Sequence, residues 1–218
     1  MLLIFERNLH IVHSILGVIA MGAIIYRNVP ALIALKKGTF QPSSPTCFIW
    51  ATISFIEAII ILSSHGGWAA TSTVVTTIFC FFFGLKGIKF IKQQPVSVKF
   101  LGTMAFFIVV PTTLSILNVI PLSWLLIDLA IIEALAIIPT IKKIKKAPFS
   151  ENLELYVWGD AAMILSIIAA SNINFNTVFI PLLWIVILTG TIIYMLVLRK
   201  GTVNQNKPVT QNADSTVI

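Results

Sequence analysis

Four acids stand inside otherwise apolar stretches of this chain: Glu57, Asp128, Glu133 and Asp160. A charged acid at the centre of a bilayer costs at least ~2.5–3.5 kcal/mol, so each should face a bundle interior, be paired, or carry a proton. A carboxyl held away from water favours its neutral form, and so can bind and release a proton near neutral pH. The chemistry on offer is proton transfer or contact with a polar solute. Glu133 is the foremost candidate, with Glu57, Asp160 and Asp128 behind it. No HExxH, GxSxG or His–acid cluster accompanies them, so no enzymatic activity is expected. Cys47 and Cys80 have no His or acid at ligand spacing and read as packed thiols; neither a metal nor a cofactor is expected. Arg27 is the one base well inside an apolar stretch, where it either snorkels to an interface or pairs with Asp160. His13 is a proton relay or a hydrogen-bonding filler. Trp50, Trp158 and Trp184 either line a bundle or anchor at the lipid interface.

The elements that must hold these groups are helices in a membrane. Of the 218 residues, 57% are hydrophobic and only 11% charged, against about 25% charged in soluble proteins. Apolar runs near the ~20-residue length of a transmembrane helix recur along the chain. They predict seven spans, at about 9–35, 46–64, 68–85, 99–117, 122–141, 153–170 and 177–198. Arg27, Asn28 and Pro30 are expected to break the last part of the first, and Pro111 to kink the fourth. The first span exceeds a signal-peptide core and is read as mature structure. Residues 201–218 read as a disordered polar tail, ending in Thr216-Val217-Ile218, a short pattern like a PDZ-binding terminus.

Basic residues set the expected orientation. The net charge of +7 comes from short clusters between apolar runs, which suits lipid headgroups rather than nucleic acid. Only Arg7 precedes the first span, whereas Lys36, Lys37, Lys86, Lys89, Lys92, Lys99 and the Lys142–Lys146 cluster occupy alternate connections. The connections SSHGG, NVIP and SNINFN hold none. The positive-inside rule then places the N-terminus outside and the C-terminus in the cytoplasm, as an odd helix count requires. With that orientation Glu133 sits near the midplane and Asp128 in the outer half. A five-residue step turns these two about 140° apart, onto different faces. Glu57 falls near the middle of the second span and Asp160 in the inner part of the sixth.

The chain also repeats itself. With Pro30 laid on Pro139, Lys36 and Lys37 fall on Lys145 and Lys146, and Phe40 on Phe149. After a one-residue slip, Phe48-Ile49-Trp50-Ala51 falls on Tyr156-Val157-Trp158-Gly159. Two parallel three-helix units result, at 9–90 and 121–198, joined by a linker helix at 99–117. A proline inside a helix removes one backbone hydrogen bond and clashes with the preceding turn. Pro30 and Pro139 are therefore candidate hinges, on which one bundle could rock against the other.

Three helices, a linker and three helices, with prolines near the inner ends of the first and fifth, resemble the PQ-loop and SWEET superfamily. Ala31 and Thr140 stand where that family has glutamine. The resemblance implies a seven-helix transporter of a small polar metabolite, and the acids suggest proton coupling. The other reading is a seven-helix receptor or sorting protein that binds a ligand without moving it. Retrieval receptors of similar layout hold a peptide carboxylate with arginines in the second and sixth helices, and this chain has none there. A retinal protein is excluded by the lack of lysine within 177–198. Expected partners are membrane lipid and a small solute, with self-association left open and no nucleic acid.

Overall fold

The computed structural model of the protein describes residues 2–38, 40–90, 92, 97–146, 148–149 and 151–205. Among them the chain is all-helical. The α-helices are α1 (Leu2–Lys36), α2 (Ser44–Ser63), α3 (Thr71–Gly87), α4 (Val98–Ile116), α5 (Leu122–Ala136), α6 (Ile138–Lys146), α7 (Leu153–Ile168) and α8 (Phe175–Gln205). Two 3₁₀ turns, Gly67–Ala70 and Ile88–Phe90, flank α3. Six helical stretches are long and apolar enough to cross a membrane, α5 and α6 counting together as Leu122–Lys146. Large apolar side chains such as Ile15, Phe55, Phe106, Trp124 and Val186 lie on the outer surface. That is the surface a lipid solvent accepts and water does not.

Local chemistry sets the helix ends. α2 stops in a Schellman turn: His65 adopts φ 59°, its N–H reaches Leu62 O (3.1 Å), and Gly66 N–H reaches Ile61 O (2.9 Å). α4 stops the same way at Asn118 (φ 57°), with Val119 N–H on Leu114 O at 2.9 Å. Each turn satisfies carbonyls that a helix end leaves without partners. α7 starts where the Asn152 side chain accepts the Glu154 N–H at 3.0 Å, a standard N-cap.

Several sequence expectations change here. α1 begins at Leu2 rather than near residue 9, and runs unbroken through Arg27, Asn28 and Pro30. The fifth span, in contrast, is interrupted at Ile137, two residues before Pro139. α8 continues to Gln205, into the stretch expected to be disordered, and residues 206–218 with Thr216-Val217-Ile218 lie outside the described residues. The sixth expected span, α7, has only 16 residues. At 1.5 Å per residue that is about 24 Å, short of the ~30 Å hydrocarbon core. The cap at Asn152 and the loop from Ala170 clip it at both ends.

Packing orders the helices. α3 packs against both α1 and α2, and α8 against both α5 and α7. α1 also lies along α7, and α2 touches α5 and α8. α4 packs against α5 and α2 with one narrow side, so most of its apolar surface faces outward. Two apolar cores result. One joins Ile24, Ala162, Leu188 and Met195 from α1, α7 and α8. The other joins Ile53 and Ile60 of α2 with Leu126 and Leu129 of α5 and Ile180 of α8. Trp184 packs against both.

Candidate functional site

Between the two cores lies a small polar cavity of about 50 Å³. α2 contributes Ser54 and Glu57, and α3 contributes Thr73 and Thr76. Each pair is three residues apart, which puts its members on one helix face. α5 adds Glu133, α8 adds Trp184, and Arg27 of α1 and Trp50 of α2 complete the polar and aromatic lining. Since one water needs roughly 10–15 Å³ of such volume, the cavity holds a few waters or a solute of few heavy atoms.

Glu57 and Glu133 are 2% and 1% exposed. Both carboxyls line the same cavity as the Trp184 indole. Two carboxylates confined to one small, poorly solvated space repel each other, which favours a proton on one of them. Each acid keeps one oxygen, Oε1 of Glu57 and Oε2 of Glu133, with no hydrogen-bond partner. Acids of α2 and α5 thus bring free acceptor capacity to one cavity.

Arg27 is held differently. Its guanidinium lies over Gly159 of α7, where a Cβ would stand 2.8 Å from Nη1. Glycine is what makes room for it. Its polar neighbours are Cys80 and Tyr156, and it makes no ion pair among the described residues. The Arg27–Asp160 pair considered from the sequence does not form: Asp160 instead accepts a hydrogen bond from Thr189 Oγ1 at 2.9 Å.

The remaining sequence candidates fall away from the cavity. Asp160, Asp128 and His13 are partly buried but line other surfaces. Trp158 is 41% exposed and meets Tyr26 edge-on at 4.9 Å, whereas Trp50 faces Trp184 at 5.5 Å. Pro30 is exposed on α1 and does not line the cavity, and Pro139 lies in the backbone just after the interruption. The sequence reading missed Ser54, Thr73 and Thr76, whose only signal was hydroxyls three residues apart within apolar helices. A larger hollow of about 530 Å³ on the α2–α3 flank is lined by Phe48, Phe55, Ile78 and Phe81. It is open and apolar, so the polar chemistry is in the smaller cavity.

The lysine-free end of the bundle is tied together by hydrogen bonds. Ser171 N–H bonds Gly66 O at 3.2 Å, Asn174 Nδ2 bonds Ser64 O at 3.2 Å, and the Ser72 and Ser166 hydroxyls meet at 2.6 Å. Gly67 allows the approach: it has φ +57°, and a Cβ there would lie 2.6 Å from Ser171 Oγ. At the lysine-rich end, Arg199 holds the segment before α7, donating to Pro148 O (2.9 Å) and Glu151 O (2.7 Å).

Fold and site together define, among the described residues, an all-helical protein with six membrane-length helices and two buried carboxyls on one small cavity. Compared with protein-family models, curated proteins and solved structures, the chain matches none of them.

Proposed function

We propose that the chain is a multi-pass membrane transporter that moves a small polar solute together with protons. It is read as two parallel three-helix units around the linker α4, with the N-terminus outside and the C-terminus cytoplasmic, similar in plan to PQ-loop and SWEET proteins. Packing supports the repeat. Exchanging α1 with α5, α2 with α7 and α3 with α8 turns each of the contacts α1–α3, α2–α3, α1–α7 and α3–α7 into another observed contact.

The observation that carries the function is the Glu57–Glu133 pair. It brings an acid of α2, from one unit, and an acid of α5, from the other, to one small cavity. With neither acid protonated, two carboxylates would share a poorly solvated site, a strongly repulsive state. The pair would then part, and α2 would separate from α5. Proton occupancy is thereby tied to the relative position of the two units, with the interruption at Ile137 close behind Glu133 on the same span.

The test is flux. Purified protein in liposomes carrying an internal pH dye should move protons when one of a panel of amino acids, sugars, organic acids or short peptides is added outside. Glu133→Gln should lose that coupled flux, and unchanged coupled flux in this variant would overturn the reading. Binding of a panel member with no flux would favour the receptor reading.

A further inference from the structure

We infer that the cavity binds a short-chain monocarboxylate through Arg27 and takes up a second proton with it, one per anion. The flux part rests on the transporter reading; the binding part does not.

The inference starts from charge. Arginine is protonated at any accessible pH, and Arg27 faces the cavity without a carboxylate partner among the described residues. Two buried acids, Glu57 and Glu133, line the same cavity, and neither forms an ion pair with Arg27; neutrality with the guanidinium requires one of them to be ionised and the other to carry a proton. One guanidinium (+1) and one pair carrying a single proton (−1) sum to zero. An entering carboxylate would bring the site to −1, which a poorly solvated interior strongly disfavours. The free carboxyl oxygens, Glu57 Oε1 and Glu133 Oε2, can accept a second proton and restore neutrality. Empty and loaded sites are then both neutral. The other titratable groups near Arg27 are Cys80 on α3 and Tyr156 on α7; the cavity face of α8 presents Trp184 and Ile180, which do not titrate.

Shape narrows the ligand. The guanidinium fork matches a carboxylate with two parallel hydrogen bonds. Ser54, Thr73 and Thr76 can bond a hydroxyl or keto oxygen, and the Trp50 and Trp184 rings with Met163 and Ile180 give an apolar wall for a short carbon chain. A volume of about 50 Å³ excludes a long tail. A sugar would not use the charge of the guanidinium, and a cation would be repelled by it.

The experiment uses the full chain with L-lactate as probe and glucose and L-lysine as controls, against protein-free liposomes. Radiolabelled lactate should enter with one proton each, at a rate unaffected by an imposed membrane potential. In detergent, lactate should raise the melting temperature of the wild type and of Glu133→Gln. Arg27→Gln should bind lactate about tenfold or more weakly, the loss of a charge-assisted bond. Gly159→Ala, which displaces the guanidinium and leaves its charge, should weaken binding in the same direction if Arg27→Gln does not fold. Lactate that stabilises the protein without crossing the membrane would overturn the transport reading and leave the carboxylate site standing. Glucose or lysine moving with protons while lactate neither binds nor moves would overturn the carboxylate site alone. Lactate binding unchanged in both variants, or uptake that follows membrane potential, would also overturn this inference.

Discussion

Trp50 and Trp158 align in the proposed repeat, and so do Pro30 and Pro139, yet the members of each pair lead different lives. Trp50 faces the cavity against Trp184, while Trp158 sits at the surface against Tyr26. α1 runs straight through Pro30, while the helix carrying Pro139 is interrupted at Ile137. The charged groups diverge further. In the alignment that superposes Pro30 on Pro139, Glu133 falls on Ile24, a buried core residue, and Arg27 falls on Ala136. Similar packing thus surrounds an asymmetric site. In the proposed repeat, one unit supplies the cation and one acid, and the other the second acid and an indole. On that proposal a proton held at this boundary would tie the position of one unit to the other, which two identical half-sites would not do without an added ligand.

The largest expected effect lies at the acids. Glu57→Gln should remove proton-coupled flux as fully as Glu133→Gln, although the two residues belong to different units. Asp160→Asn, which keeps an acceptor for Thr189, should retain most of it. Equal losses at all three acids would mean that the cavity pair has no special role. A double-mutant cycle on Glu57 and Glu133, read by denaturation in detergent, should give a coupling of about 1–3 kcal/mol, as expected for residues in one buried network.

The tryptophans come next. Trp50→Ala should cost about 3 kcal/mol of stability, the loss of a large side chain from packed surroundings. Trp158→Ala should cost about 1 kcal/mol, the worth of one aromatic edge contact. Thermal unfolding of the two variants side by side would reverse the assignment of cavity and surface if their order were inverted.

The prolines test the hinge. Pro139→Ala restores a backbone N–H able to reach Leu135 O, so amide hydrogen exchange around residues 137–141 should slow as α5 and α6 join. The matched change Pro30→Ala should leave exchange in α1 nearly as it was, because α1 is already continuous. Comparable slowing at both sites would show that the interruption at Ile137 has no special standing. The smallest effect is expected at the lysine-free end: Ser72→Ala removes one buried hydroxyl contact, while Ser166 keeps its bond to Ala162 O at 2.9 Å. A loss of about 1 kcal/mol is expected there, readable as a small drop in melting temperature.

Much of the architecture was legible in the residues themselves. Apolar runs located the helices, SSHGG and NVIP marked the Schellman turns after α2 and α4, and the acids inside apolar runs marked where polar chemistry must be buried. Lysine spacing set an orientation that the fold leaves open. Where the reading failed, a competing local effect prevailed. Arg27, Asn28 and Pro30 did not break α1, because the long apolar flanks on both sides carry the helix and the Asn28 amide bonds back to Ile24 O at 2.8 Å. α7 came out shorter than a span because its cap and its loop, not its hydropathy, set its ends.

What the sequence determined by itself is local: which segments are helical, and that four acids and an arginine lie among apolar residues. Which of those groups meet was decided only by tertiary structure. In a soluble protein an amphipathic stripe tells each helix which face to bury. Lipid is as apolar as a protein core, so helices in a membrane carry no such stripe and their rotation is set by close packing against neighbours. Glu57 and Glu133 look alike to Asp128 and Asp160 on paper. Helix packing turned the first two onto one cavity with Trp184, left Asp160 to Thr189, and placed Arg27 over the one residue of α7, Gly159, with no side chain to push it away.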